Sequence, residues 1–544
     1  MDAPVSILGL DGKPLASRPS RASMLVGGGS TPYDAADRTS DHMANWSPYL
    51  ASPDGELNMH RDTIVSRVRD LVRNDGWASA AVTRTLDNVI GADFRPMSKP
   101  DYQSLRLQTG IKAFDHVWAD EFGQALEAHY RSWAYDPGRY CDTQRGQTVP
   151  QMMRLGFRHK LIDGDALAIM HWLPERVGPG RAKYATALQM VDPDRLSNPQ
   201  LQFDQATMRG GVEIDEFGAA AWYHIRRAHQ GDYFSAAKAM TWDRVARETE
   251  WGRAIVVHDF DADRAGQHRG GAGFLTPVLQ RLKMLIKYDG TELDAAIINA
   301  IFGAYIESPF DSSMVEDALG EGEELGRYQS GRTEFHNDSK IKLGGARMPI
   351  LFPGEKINTV TASRPNSNFA EFEAAMLRNV AAGTGTSTQQ ISQNWSDVNY
   401  SSYRAAMLEA WKTFDRRRAD FASGFGQQIF NGFVEESMDV DDLPLPAGAP
   451  SFMECRAAYA RAKWMGPGRG YTDPVKEKQG SILGMDAGLS TLEAEAAELA
   501  GEDWRDNLDQ RAVEVARFEK LGLPLPKWAA GDDVAQATKE EEPS

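Results

Sequence analysis

Hydrophobic residues recur with two different periods in the first half of the chain. Spacings of three and four predict amphipathic helices over 60–90, with a break near Asn74, and again over 111–135 and 151–162. Short runs rich in β-branched and aromatic residues then predict four strands, at 166–173, 185–191, 220–227 and 253–260. Residues 215–218 are typical of a hairpin turn. We therefore expect an α+β half with an antiparallel sheet and without βαβ alternation.

The second half begins with two helical segments. Residues 275–306 predict one long or broken helix with Pro277 in its first turn, and residues 368–382 predict another. Between them, the Gly-rich and charged region 308–345 leads into a segment of strand character. This order predicts two helices that flank a small protruding module.

The longest helical period follows a polar loop. Residues 385–398 are rich in Ser, Thr, Gln and Asn and contain neither Pro nor a regular apolar period. Ser401 and Ser402 are favourable helix N-caps. After them, large apolar residues recur at steps of three, four or seven: Tyr403, Met407, Trp411, Phe414, Phe421, Phe425, Ile429 and Phe433. The spacing predicts one long amphipathic helix over 401–433.

The remaining segments are interpreted from their amino-acid composition. Residues 1–32 predict a flexible arm, and 435–450 predict an acidic, Pro-rich linker. Residues 451–521 predict a smaller helical portion, and 531–544 a disordered acidic tail.

Composition limits the possible classes of function. The 544 residues are 42% hydrophobic, which predicts a globular chain, and the net charge of -17 argues against a protein that coats DNA stably. Cys141 and Cys455 are too few for a disulfide framework and are expected to be buried thiols. The longest apolar run, 295–306, is shorter than the about 20 residues of a membrane helix. We expect a soluble, non-secreted protein without a membrane partner.

Sequence motifs for catalysis are largely missing. The chain has no phosphate-binding G-x-x-x-x-G-K-[ST], no H-E-x-x-H and no G-x-S-x-G. One cluster, His258, Asp259, Asp261 and Asp263, resembles ligands for a divalent cation. It supports an alternative hypothesis of a metal-dependent nuclease, against the simpler interpretation of a strand end leading into a solvated loop. Neither catalytic residues nor a cofactor or metal are expected otherwise.

The strongest basic run is Arg416, Arg417 and Arg418. Three consecutive residues fan over about 200° of a helix, so at least one of them can face outward. Ion pairs with Asp415, Asp420 or a neighbouring subunit are one interpretation, and contact with a DNA backbone is the other.

Several short motifs, in their order and spacing, resemble the lambda-type family of phage portal proteins from about Tyr33 to Trp528. The most specific motif is Asn399, Tyr400, Ser401 and Ser402 with Arg404. Supporting motifs are SRVRDLVRN around Asp70, VDPDRL around Asp194, and the Pro353-Gly354-Glu355 triplet.

This resemblance implies a portal fold: an elongated subunit with an α+β wing, a helical stem, a small α/β clip, a long wing helix and a helical crown. Carried onto this chain, it divides the sequence as follows: wing 33–274, stem helix 275–307, clip 308–365, second stem helix 366–384, tunnel loop 385–398, long wing helix 399–434, and linker and crown 435–530.

The resemblance also implies a function and partners. Copies would form a ring, a dodecamer, at one capsid vertex for genome packaging, head-tail connection and DNA ejection. Partners would be the terminase large subunit, head-completion or adaptor proteins, the major capsid or scaffold protein, and double-stranded DNA in transit. The protein would be in the host cytoplasm during assembly and then in the virion. Another capsid structural protein is the second alternative.

The tunnel loop is the candidate site for DNA passage. Its polar residues are Gln389, Gln390, Ser392, Gln393, Asn394 and Asp397. Neutral hydrogen-bonding side chains can touch phosphates without the counterion release that makes basic proteins hold DNA tightly.

Overall fold

The structure is a computed structural model of the chain. It describes residues 34–36, 42–43, 45–271, 273–301, 305–307, 326–327, 330–331, 333–335, 340–343, 346–349, 356–358, 369–396, 400–471, 473–526 and 528. The predicted arm, the predicted acidic tail and most of the predicted clip therefore lie outside the described residues.

The first part of the chain contains five helices. They are α1 Pro53–Asn74, α2 Gly76–Val89, α3 Tyr102–Thr109, α4 His116–Ala134 and α5 Val149–Asp163. Asp75 explains the predicted break near Asn74, because its N–H donates to Leu71 O and its carboxylate accepts from Ala78 N. One residue thus ends α1 and caps α2. The predicted helices are confirmed, and α3 was not expected.

Two antiparallel sheets follow these helices. Their strands are β2 Asp165–Trp172, β3 Thr186–Val191, β4 Met208–Arg209, β5 Val212–Ile214, β6 Ala220–Arg226, β7 Trp242–Ala246 and β8 Val256–Phe260. One sheet has the order β3-β2-β8 and the other β4-β5-β6-β7. The four predicted strands and the hairpin turn at 215–218 are confirmed. A small core lies between the sheets and includes Leu167, Val191, Val212 and Tyr223.

Short helical turns connect these elements. They are Asp34–Ala36, Pro174–Arg176, Pro193–Arg195, Pro199–Leu201, Tyr233–Ser235, Ala236–Ala239 and Thr276–Val278.

Around the predicted clip, the described residues include two long helices and two strand pairs. Helices α6 Leu279–Ile301 and α7 Phe369–Thr384 contact each other, with the ring of Tyr288 stacked on Phe369 at 5.6 Å. Strand β9 Tyr305–Glu307 pairs with β12 Lys356–Asn358, and β10 Lys340–Leu343 pairs with β11 Ala346–Pro349. The prediction of helix up to residue 306 was wrong, since α6 ends at Ile301 and β9 begins at Tyr305.

A continuous helix runs through the main core. It consists of α9 Tyr400–Phe421, a π-helical turn Ala422–Gly426 and α10 Gln427–Val440. The short helix α8 Thr388–Ser392 precedes it in the chain. Phe421 packs on Phe157 of α5, and Phe433 stacks on Trp133 of α4. The long helix is confirmed and extends further than predicted. Because it begins at Tyr400, Ser401 and Ser402 lie in its first turn and do not precede it as N-caps.

The C-terminal part is tied to the first part of the chain. Strand β13 Ala462–Met465 pairs with β1 Arg95–Ser98, and Trp464 stacks on Phe94 at 4.9 Å. A short helix, Arg456–Tyr459, precedes β13. After β13 come α11 Pro474–Asp486, a short helix Leu492–Glu495, a π-helical turn Ala496–Ala500 and α12 Trp504–Leu521. The predicted linker at 435–450 begins inside α10, and Phe452, Cys455 and Tyr459 beyond it are buried in the main hydrophobic core. The boundary predicted at 435 therefore does not separate two folded units.

Within the described residues, both cysteines are buried free thiols, as predicted. No described helix combines the length and apolarity required to cross a bilayer.

Candidate channel segment and its buried supports

The predicted tunnel loop starts at a tight, buried turn. Helix α7 ends at Thr384, and Gly385 has a positive φ of 70°. A Cβ on Gly385 would lie 2.9 Å from Thr413 Cγ2 of the long helix, so only glycine fits without displacement. The chain thus leaves α7 in direct contact with α9.

The next residues form a helix where a loop was predicted. Ser387 and Gln390 form a capping box: Gln390 N donates to Ser387 Oγ, and Ser387 N donates to Gln390 Oε1. The capped helix α8 ends at Ser392, and the following residue, Gln393, adopts the left-handed region at a φ of 54°. The absence of an apolar period hid this helix, because it has only five residues.

The predicted site residues lie in different environments. Gln390 is only 5% exposed, and its side chain caps its own helix. Gln389 and Ser392 are half-buried, whereas Gln393 and Asn394 are exposed. Asp397 and Asn399 lie outside the described residues. Tyr400, Ser401 and Ser402 form the first turn of α9, and Arg404 is exposed on the same helix.

The three consecutive arginines have different roles. Arg416 is exposed and pairs with Asp420 at 3.6 Å. Arg418 donates to Val89 O, Asn88 O and Pro467 O and lies 3.2 Å from Asp415. Arg417 donates to Thr384 O at 2.9 Å. The ion-pair interpretation therefore holds for Arg416 and Arg418, and Arg417 binds backbone.

The acidic cluster considered for a nuclease does not converge on one point. His258 Nε2 lies 3.0 Å from Asp165 Oδ1, while Asp259 and Asp261 both contact Lys160 Nζ, at 2.8 and 2.9 Å. The Asp263 N–H donates to Gln267. Because a lysine ammonium already lies between the two carboxylates, these residues do not fit a cation site. The nuclease alternative is not favoured.

A buried carboxylate that the sequence analysis missed lies at the start of β2. Asp165 is fully buried and accepts from Arg61 at 2.8 Å, from Arg269 at 2.9 Å and from Gly270 N at 2.6 Å. Burial alone would raise the pKa of Asp165, but Arg269, Arg61 and His258 outweigh it and hold that pKa well below the usual range. Asp165 thus fixes the segment that leads to α6.

A second ionic cluster surrounds Arg69. His159, Asp163 and Asp192 place possible ligand atoms within 4.8 Å of one another. Arg69 donates to Asp163 at 2.7 Å, to Asp192 at 3.0 Å and to Asp194 at 2.5 Å. Burial would lower the pKa of Arg69, but these carboxylates raise it above its ordinary value. The guanidinium therefore occupies the position where a cation would bind.

The comparison with known proteins agrees with this architecture. The family model described as phage portal protein, lambda family, matches residues 39–418. The portal protein of Escherichia phage N15 is 32% identical over 507 residues, covering 92% of each chain. Portal protein B of Escherichia phage lambda is 32% identical over 509 residues, again covering 92% of each. A probable portal protein of Halomonas phage phiHAP-1 is 24% identical and is covered over 89% of its length.

The solved structures are less similar to this chain than the two relatives at 32% identity. A native gene transfer agent virion gives a TM-score of 0.45 at 14% identity, covering 80% of this chain and 92% of the other. The neck of an empty gene transfer agent particle gives 0.44 at 12% identity, covering 84% and 94%. The family match and the two relatives at 32% identity show that the chain belongs to the lambda family of phage portal proteins.

Proposed function

We propose that copies of this chain close into a ring, a dodecamer in the particle, that forms the DNA channel at one vertex of a phage capsid. The observation that carries this proposal is the family match over residues 39–418. The ring would serve genome packaging, connection of head to tail, and ejection. It would act without catalysis of its own, with packaging energy supplied by the terminase large subunit.

We assign the parts of the portal subunit to the elements in their order along the chain. The two sheets with α1–α5 and the long helix would be the wing, α6 and α7 the two stem helices, and 308–365 the clip that meets terminase and then head-completion or adaptor proteins. The wing would contact the major capsid or scaffold protein. Assembly would take place in the host cytoplasm, and the finished ring would remain in the virion.

Electrostatics favour passage of DNA over its retention. The net charge of -17 gives the subunit the same sign as DNA. Gln393 and Asn394, just after α8, are exposed and uncharged. Each phosphate that a protein neutralises with a cation strengthens binding through counterion release. A channel surface of neutral amides avoids that attraction.

The first test of the proposal is the oligomeric state of the purified chain. Negative-stain images are expected to show rings with a central hole, and native mass spectrometry a closed oligomer. A chain that remains monomeric over all concentrations and salt conditions would contradict the proposal. The isolated rings are expected not to hydrolyse ATP.

The second test is the charge of the channel surface. Asn394→Arg is expected to leave rings intact but to slow DNA packaging in a salt-dependent manner, since each added phosphate contact steepens the dependence on salt. Gln103→Arg makes the same change at an exposed position on α3 and serves as the control. Equal packaging rates in both variants would exclude Asn394 from the channel.

A further inference from the structure

Three helices meet at the turn where the channel segment begins. Arg417, on the long helix, donates from Nη2 to Thr384 O, the last residue of α7, at 2.9 Å. Its guanidinium carbon lies 5.5 Å from the ring centroid of Phe274, just before α6. Phe274 is fixed in turn, since its N–H donates to Leu161 O at 3.0 Å. One side chain thus contacts the wing-side ends of both predicted stem helices.

The turn at Thr384 and Gly385 is tightly packed. Thr384 is fully buried, and its Oγ1 lies 2.9 Å from Val380 O and 2.9 Å from Thr386 Oγ1. Gly385 faces Thr413, which lies one helical turn before Arg417. Downstream, Ile391 is fully buried and holds α8 against the wing core. A shift of Arg417 would therefore displace the start of the channel segment.

Arg417 is a poor choice for stability alone. Burial lowers the pKa of its guanidinium, and no carboxylate of the described residues lies within ion-pair distance. Its Nη1 is buried and has no hydrogen-bond acceptor among the described residues. An unpaired buried donor costs about 1–3 kcal/mol. An apolar side chain of similar length would fill the same space without that cost, although Thr384 O would lose its hydrogen bond from Arg417.

We propose that Arg417 is a positioning residue for the channel. It fixes the position of residues 385–392 relative to the two stem helices, so that the wing, the stem and the channel segment move together as a rigid unit. This inference rests on the proposed portal function of the segment, but the contacts that hold these parts together belong to a single subunit.

The test compares two neighbouring arginines of one helix. Arg417→Met keeps the length and removes the hydrogen bond and the charge, whereas Arg416→Met makes the same change at an exposed position. Arg417→Lys keeps a charge that can reach Thr384 O but loses the planar group over Phe274. The readouts are the thermal unfolding midpoint, amide hydrogen exchange of 385–392, ring formation, and retention of packaged DNA.

Arg417→Met is expected to unfold at the parent temperature or slightly above it. Its amides over 385–392 should exchange about tenfold faster, because the local opening free energy falls while global stability does not. Rings should form and release DNA more readily. Arg417→Lys should lie between the parent and Arg417→Met, and Arg416→Met should match the parent.

Two results would overturn the inference. A lower unfolding midpoint for Arg417→Met, with exchange faster throughout the wing, would make Arg417 a purely structural residue. Unchanged exchange over 385–392 would show that Arg417 does not fix the segment. Failure of the parent to form rings would contradict the proposed function instead, since the exchange comparison can be made on the single subunit.

Discussion

Gly424 of the long helix lies directly against the carboxylate of Asp259. A Cβ placed on Gly424 would come within 2.0 Å of Asp259 Oδ1. Asp259 is buried and accepts from Lys160 Nζ at 2.8 Å. Gly424 is in the middle of the π-helical turn Ala422–Gly426, and such turns usually mark a local constraint. The long helix therefore passes over a buried ion pair, and a glycine makes this approach possible.

Gly424→Ala is expected to destabilise the wing by about 2–4 kcal/mol, since the new methyl must displace either a buried ion pair or the helix. The measurement is the urea unfolding midpoint. Gly480→Ala is the control, because Gly480 is in the interior of α11 with nothing near its would-be Cβ. It should be neutral or stabilise the chain by up to about 1 kcal/mol. Equal midpoints for the two variants would contradict the close approach at Gly424.

Asp165→Asn tests the ionic centre of the wing. It leaves Arg61 and Arg269 buried without their shared carboxylate, and removal of one partner from such a group costs about 3–5 kcal/mol. Asp62→Asn is the control, since Asp62 lies 4.0 Å from the same Arg61 but its side chain is 85% exposed. Its effect should be below about 0.5 kcal/mol.

The same variant predicts a pH dependence with a definite sign. The pKa of Asp165 is lower in the folded chain than its unfolded value of about 4. Its contribution to stability is therefore complete above about pH 4 and is lost as the pH falls further toward the folded pKa. The difference in unfolding midpoint between parent and Asp165→Asn should be the same at pH 7 and pH 5 and smaller at pH 3. A difference that grows at pH 3 would refute this assignment.

Sequence periodicity predicted the elements that bury a continuous apolar face. The long helix was found because Trp411, Phe414, Phe421 and Phe433 repeat on one side, and the strands were found from their β-branched runs. Helix α8 was missed because four polar residues and one isoleucine show no period, and its stability comes from the capping box and from the burial of Ile391. The roles of the arginines were not predictable either. Arg416, Arg417 and Arg418 are equivalent in sequence, and only the packing around each one separates them.

Glu127→Gln tests how the C-terminal helices are held. Helix α11 contributes no buried residue, and α12 contributes only Arg505. Arg505 donates to Glu127 of α4 at 2.7 Å. Loss of that charge should weaken the attachment of α12 and speed proteolysis of 504–521 several-fold, while the rest of the chain stays folded. High salt should raise the proteolysis rate of the parent by less than Glu127→Gln does. The reason is that the Arg505–Glu127 pair is largely buried, so that salt screens it poorly. Glu121→Gln, at an exposed site of the same helix, should leave cleavage unchanged.

Deletion of residues 394–396 tests which part of the predicted tunnel loop is free to vary. These residues are exposed, whereas Ile391 is fully buried and Gln390 is nearly so. The deletion is expected to leave ring formation and the unfolding midpoint unchanged but to reduce retention of packaged DNA, since it shortens the segment beyond its anchored part. Ile391→Asp is the comparison, because it places a charge in the wing core and should lower stability by more than about 3 kcal/mol. Loss of rings in the deletion variant, with rings retained in Ile391→Asp, would contradict this assignment. Residues 394–396 would then be part of the subunit interface, and Ile391 would not be the residue that anchors the segment.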